Sequence, residues 1–179
     1  MVHPWHDIPV DSEAIATSLP VVIEIPAGSK NKYELDKQLG LLRLDRVLYS
    51  SVHYPANYGF IPRTYCDDGD PLDALVLGQE PIDPLTIVQV RPIGVMRMRD
   101  QGRTDDKILS VHVNDPAFQH VRELGDIPEH IVAEISRFFL DYKVLERKEV
   151  VIDPFRDRYA ALEVIREALD LYAKEYGSG

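Results

Sequence analysis

Cysteine is almost missing from this chain of 179 residues, where Cys66 stands alone. An intrachain disulfide is therefore excluded, and so is a zinc site built on cysteine ligands. Long apolar runs are missing too. Hydrophobic residues make up 45% of the chain, yet no run approaches the roughly 20 residues of a membrane-spanning helix. Positive charge is in deficit, with 20 Lys and Arg against 30 Asp and Glu, and the resulting net charge of −10 repels polyphosphate backbones over most of the surface. Aromatic residues reach only 8%, too few for a base-stacking platform in a basic groove. Neither nucleic acid nor membrane is an expected partner. The start, Met1-Val2-His3-Pro4-Trp5-His6-Asp7, lacks the basic stretch and apolar core of a secretory signal. Asp11 and Glu13 speak against an organelle transit peptide, so a cytoplasmic location is expected.

The length suffices for one domain with a proper core, and no composition break, internal repeat or linker divides it, so residues 1–179 are read as one domain. Val21, Ile23 and Ile25 alternate with Val22 and Glu24, which predicts a strand with Glu24 facing away from the three apolar residues. Lys32 and Glu34 likewise oppose Tyr33 and Leu35. Segments 41–47, 58–61, 74–77, 87–95 and 107–113 give further short strands between turn signals. The period changes only after residue 115. Ile131, Ile135, Phe138 and Tyr142 share one face of a helix starting near Pro128, and Leu162, Ile165, Leu169 and Tyr172 share a face of a second that stops at Gly177. Residues 177–179 read as a frayed end. Strands first and helices later predict an α+β fold, a small barrel or sandwich with helices packed outside.

The densest chemistry lies in Asp67-Asp68-Gly69-Asp70-Pro71-Leu72-Asp73, which crowds four carboxylates into one turn. Two unit charges about 4 Å apart repel by roughly 4 kcal/mol at an effective dielectric near 20, so facing carboxylates call for cations or protons. Hard oxygen donors point to Mg²⁺, Mn²⁺ or Ca²⁺. Asp68 and Asp70, two apart, project to one side of an extended segment, Gly69 clears space between them, and Pro71 turns Asp73 back. An EF-hand is excluded, because the sixth and twelfth positions counted from Asp68 are Asp73 and Gln79. Asp100, Asp105, Asp106 and Lys107 form a second charged cluster, placed in the turn between two predicted strands. Lys32, Arg46, Tyr58, Lys107, Tyr142 and Lys143 could supply cationic and hydroxyl donors to a phosphate-rich substrate. Cys66, beside so much negative charge, is a weakened nucleophile and is read as a bystander.

Asp68-Gly69-Asp70-Pro71-Leu72-Asp73-Ala74-Leu75-Val76 resembles the D-[SG]-D-P-x-D-hydrophobic pattern of the soluble family I inorganic pyrophosphatases. Further blocks are similar to that family's and occur in its order: Ile23-Glu24-Ile25-Pro26, Lys32-Tyr33-Glu34, Asp45-Arg46, the run from Tyr54 to Pro62, Arg91 to Val95, Asp105-Asp106-Lys107 and Phe138 to Lys143. The resemblance implies a five-stranded OB-like β-barrel with flanking α-helices. It implies hydrolysis of inorganic pyrophosphate, with Asp70 taking a proton from the attacking water. It assigns Asp68, Asp73, Asp100 and Asp105 to Mg²⁺, with Glu24 supporting a metal through its water shell. Lys32, Arg46, Tyr58, Lys107, Tyr142 and Lys143 correspond to substrate contacts, with Glu34 and Tyr54 supporting the cavity. Several Mg²⁺ ions are implied, with Mn²⁺ or Zn²⁺ as substitutes and Ca²⁺ inhibitory, and the short prokaryotic-type members suggest a homohexamer.

Two departures stand out. Gln101 occupies a position that is acidic in many relatives, and residues 147–155 lack the tryptophan-containing strand of bacterial members, which leaves their path open. Asp67 and Asp106 are extra acids, read as a solvated face. Two other classes compete: a metal-dependent nucleotide-sugar transferase, disfavoured by chain length and element order, and an OB-like nucleic-acid binder, disfavoured by charge.

Overall fold

Five strands close into a ring in the computed structural model, which describes residues 2–177. In chain order the strands are β1 (Leu19–Ile25), β2 (Asn31–Asp36), β3 (Leu41–Val47), β4 (Asn57–Phe60), β5 (Asp73–Leu77), β6 (Ile87–Asp100), β7 (Arg103–His112), β8 (Val150–Ile152) and β9 (Arg156–Asp157). The helices are α1 (Glu129–Asp141) and α2 (Arg158–Tyr176). The ring runs β1-β4-β5-β7-β6 and returns to β1, with Ile23 opposite Gly59, Tyr58 opposite Leu75, Val95 opposite Ile108 and Val21 opposite Val88. Only β5 and β7 run parallel, Ala74 beside Ile108. Closure leaves these five strands without a free edge.

Period-two alternation sends the two faces of each ring strand into different cores. Leu75 and Leu77 of β5 join Tyr58, Met96, Leu109, Ile135 and Phe139, under α1. Ala74 and Val76 join Val21, Ile23, Val95, Ile108 and Ile165, under α2. With both faces covered, the Ala74–Leu77 part of β5 is wholly buried, as a strand between two layers must be. Gly59 marks the tightest approach, since a Cβ there would lie 1.9 Å from the Val22 carbonyl oxygen.

β2 and β3 stand apart as a two-stranded sheet, with Lys32 opposite Arg46 and Leu35 opposite Leu42. β6 and β7 are longer than the apolar pattern predicts. Their pairing continues through Met96 opposite Lys107 and Met98 opposite Asp105, down to Asp100 opposite Arg103. Asp105 and Lys107 are therefore strand residues and not part of the turn, which consists of Gln101 and Gly102, both at positive φ (50° and 81°). Pairing with β6 overrides the low strand preference of Asp. Asp106 is also reassigned: it accepts two 2.8 Å hydrogen bonds from Arg97 instead of facing water. The open path of residues 147–155 resolves into β8, which adds to β6 with Ile152 opposite Met98.

α1 begins after Pro128 as predicted but ends at Asp141, leaving the buried Tyr142 as its C-cap. α2 opens on Asp157, whose carboxylate accepts the Ala160 N–H at 2.9 Å, and closes at Gly177 with φ 84°. The predicted frayed end at Ser178 and Gly179 lies outside the described residues. Among the described residues, no helix is long and apolar enough to cross a membrane. Residues 3–18, without periodicity, nonetheless bury Trp5 and Ile15 almost completely.

Candidate active site

One cavity of about 430 Å³ opens between the ring and the β2–β3 hairpin. β1 and β4 supply Glu24 and Tyr58, the acidic turn and the start of β5 supply Asp68, Asp70 and Asp73, and β6 and β7 supply Asp100, Asp105 and Lys107. The hairpin adds Lys32 and Glu34, and the end of α1 adds Tyr142 and Lys143. Twelve of the fourteen residues singled out from the sequence thus line one space.

The other two do not line it. Tyr54 is buried behind Tyr58, its ring 5.5 Å from that ring and 4.7 Å from Phe138. Burial raises its hydroxyl pKa well above the ordinary range. Arg46 pairs with Asp45, and its Nε lies 3.2 Å from Glu146 as an ion pair. Its Nη2 is buried without a partner. Glu146, on the one-turn helix Val144–Glu146, gave no signal in the sequence.

The acidic turn is not the extended segment expected from the spacing. The Cys66 N–H donates to the Asp70 carbonyl and the Gly69 N–H to the Cys66 carbonyl, both at 2.9 Å, and Gly69 sits at φ 85°. Asp68 bends the chain by accepting the Asp70 N–H at 3.1 Å, the local competition that short acidic side chains offer the backbone. Asp73 reaches the cavity as the first residue of β5, opposite Phe60. Burial, with the nearby acids second, pushes the Cys66 thiol far up, in keeping with a bystander.

Lys107 is the centre of the arrangement. Only 2% exposed, its Nζ lies 2.7 Å from Asp73, 3.0 and 3.1 Å from the two Asp105 oxygens and 2.9 Å from the Tyr58 hydroxyl. Tyr58 in turn donates to Asp73 at 2.5 Å. Burial disfavours the ammonium, but Asp105 and Asp73 outweigh it and hold the Lys107 pKa well above its ordinary value. Around this centre Lys143 pairs with Asp100, Lys32 with Glu34, and Lys37 with Asp70 at 2.5 Å. Lys37, a cavity residue at the hairpin tip, was invisible in the sequence because a lone turn lysine looks like any solvated one.

Seven carboxyl groups line the cavity against four lysines, an excess of three negative charges if all ionise. Three of these acids have raised pKa values, with burial as the leading cause. Burial, then Asp73, lifts Glu24 to about 8 against the opposing Leu35 N–H, which donates to it at 2.8 Å. Burial also raises Asp68, with Asp70 and Asp105 adding to it. Asp105 is raised by burial and Asp73 despite Lys107. Burial raises the Tyr58 and Tyr142 hydroxyls, which stay protonated donors.

These donors suit hard divalent cations. They are oxygen-only, they carry surplus charge, and Asp100 Oδ1 is buried with no hydrogen-bond partner. Among the described residues, however, no three His, Cys, Asp or Glu side chains converge on one ion position. The acids expected to hold Mg²⁺, Asp68, Asp73, Asp100 and Asp105, thus share the cavity without closing on one position, and the Lys107 ammonium occupies the space between Asp73 and Asp105.

Comparison with known proteins gives this constellation its context. Residues 21–173 match the inorganic pyrophosphatase family. Soluble inorganic pyrophosphatase 2 of Chlamydomonas reinhardtii is 52% identical over 174 residues, covering 97% of this chain and 90% of that protein. The crystal structure of inorganic pyrophosphatase from Thermus thermophilus superposes with a TM-score of 0.88 at 44% identity, covering 92% of this chain and 96% of that one. The type I enzyme of Toxoplasma gondii reaches a TM-score of 0.91 at 26% identity, covering 97% and 88%. With a family match over most of its length, relatives sharing about half its sequence and the same fold, the chain belongs to the soluble family I inorganic pyrophosphatases.

Proposed function

We propose that this protein hydrolyses inorganic pyrophosphate to two phosphates in a Mg²⁺-dependent reaction with Asp70 as general base. The surplus of carboxylates in the cavity carries the reading. A pyrophosphate anion cannot enter a net-negative hollow alone, so substrate and cations must arrive together.

Asp68, Asp73, Asp100 and Asp105 would hold the ions, with Glu24 supporting one through its water shell. Bound there, Mg²⁺ supplies charge neutralisation and a water of lowered pKa. Asp70, at the mouth of the cavity and more than half exposed, takes the proton of the attacking water as its oxygen bonds to phosphorus. The bond from that phosphorus to the bridging oxygen breaks, and the second phosphate leaves. Lys32, Lys107, Lys143, Tyr58 and Tyr142 donate to phosphate oxygens, preorganised by the carboxylates they already face. Arg46, set outside the cavity lining with its Nη2 buried and unpartnered, would join them by turning toward the bound substrate, with Glu34 and Tyr54 supporting the walls. Mn²⁺ and Zn²⁺ are substitutes in this scheme, whereas Ca²⁺, with longer and looser coordination, misplaces the water and inhibits.

Phosphate release from pyrophosphate, with and without Mg²⁺, tests the proposal. Asp70→Asn should lower turnover by roughly two orders of magnitude, within the usual range of general-base catalysis, while sparing metal binding. Wild-type turnover by that variant, or full activity after chelation, would refute it.

We also read the five-strand ring as the OB-like β-barrel of the family and residues 1–179 as one domain, in line with the extent of the family match. A cytoplasmic homohexamer is proposed. The lone Cys66 suits a reducing compartment, and exposed Leu140, Val144 and Leu145 at the end of α1 suit a contact between copies. A monomeric mass by light scattering would remove the hexamer.

A further inference from the structure

The tip of the β2–β3 hairpin is tied to the acidic turn from two directions. On the cavity side, Lys37 Nζ donates to Asp70 at 2.5 Å and to the Gly69 carbonyl at 3.1 Å. Behind it, the Lys37 carbonyl accepts from His3 Nε2 at 3.1 Å, while His3 Nδ1 accepts the Trp5 N–H at 3.2 Å. These two bonds together require the neutral tautomer with its proton on Nε2. Trp5, almost fully buried, then grips the other partner's segment. Its Nε1 donates to the Thr64 carbonyl at 2.8 Å, its own carbonyl accepts the Arg63 N–H at 2.9 Å, and Thr64 Oγ1 accepts the Leu72 N–H at 2.8 Å. Residues 3–5 therefore hold Lys37 through His3 and the foot of the Asp70 turn through Trp5. They lie outside the stretch that matches the family, which begins at residue 21.

We propose that Lys37 is a positioning residue for Asp70, and that the His3–Trp5 strap sets the distance between the two. The proposal rests on Asp70 being the general base. An exposed carboxylate on a glycine turn is free to rotate, and an ion pair at its mouth restricts it to one orientation. Exposed pairs add little to stability. The consequence should therefore appear in catalysis and local mobility and leave the melting temperature nearly unchanged.

The test combines steady-state hydrolysis at saturating Mg²⁺ with amide hydrogen exchange across residues 66–72, the latter without substrate or metal. Lys37→Met should lower kcat by about 10-fold with KM nearly unchanged, since a misplaced catalytic group costs rate before affinity. Lys37→Arg should restore most of it. His3→Ala should lower kcat by about 3-fold and add nothing in the Lys37→Met background, because both break one linkage. His3→Gln, which keeps a donor near the Nε2 position, should match wild type and serves if the alanine variant folds poorly. Exchange across 66–72 should quicken in Lys37→Met and His3→Ala alike. Wild-type kcat in Lys37→Met, additive losses in the double variant, or unchanged exchange would each overturn the proposal. A raised KM with normal kcat would make Lys37 a substrate contact instead. Normal turnover in Asp70→Asn would remove the base assignment itself, a failure that the exchange rates distinguish from a failure of the strap.

Discussion

The ring and the β2–β3 hairpin serve opposite ends. Ring strands β1, β4 and β5 are buried almost throughout, between two cores capped by the two helices. In the hairpin only Leu35 is buried, and Leu41, Leu44 and Val47 are half exposed. Yet the hairpin carries Lys32, Glu34 and Lys37 to the cavity. Stability resides in the ring, and a good part of the cavity wall resides on an element attached at a few points, such as Leu35 to Glu24 and Lys37 to the acidic turn. A wall with little core of its own can adjust around a substrate without disturbing the ring.

Substitutions in the two regions should separate stability from activity. Leu75→Ala, in a fully buried ring position, should cost about 2–5 kcal/mol of unfolding free energy. Chemical denaturation measures it, and a loss below about 1 kcal/mol would contradict the assignment of stability to the ring. Lys32→Ala, in the hairpin, should do the reverse. Turnover should fall by roughly 10- to 100-fold for a charged hydrogen bond of about 1.5–3 kcal/mol, with the melting temperature almost unmoved.

Asp115 sharpens the ring side through pH. Burial raises its pKa, but the N–H groups of Gln79 and Ala117, the Gln79 side chain and His112 outweigh it and hold the carboxyl below 3.8. A depressed folded-state pKa means stability that is present above the unfolded value and lost as pH falls below it. Asp115→Asn should therefore be the less stable protein at neutral pH, and the two should converge below about pH 3.8. Parallel curves across that window would contradict the account. The smallest effect belongs to Leu44→Ser on the open face of the hairpin, expected within about 0.5 kcal/mol of wild type by thermal melting.

How far the sequence reaches follows the same division. Alternation revealed β1 and β2, and turn signals bracketed the buried part of β5, a continuous apolar run because a layer covers each of its faces. The end of β6 alternates as well, Met96 and Met98 against Arg97 and Arg99, but the Asp105-Asp106 part of its partner has poor strand preference and becomes a strand only through pairing. Spacing suggested that Asp68 and Asp70 share a side, whereas the Asp68 carboxylate folds the segment back on itself. Residues 3–8 offered no periodic signal, since Trp5 and His6 act through partners 59 and 166 positions away. The motif blocks named the acids and donors of the cavity. They could not show that lysines stand between those acids, which depends on where the strands meet.

Closure of the ring also has a consequence for synthesis on the ribosome. The acidic turn and Asp73 emerge well before Lys107, their buried counter-charge, and β1 waits for β6 before its second neighbour exists. A chain released only as far as residue 80 carries five of the hollow's seven carboxylates without the strand that supplies Lys107 or the one that shuts the sheet. Translation order thus leaves Asp73 without its buried counter-charge until β7 has cleared the exit tunnel, the same strand that lets the ring close, while Tyr142 and Lys143 complete the site only later.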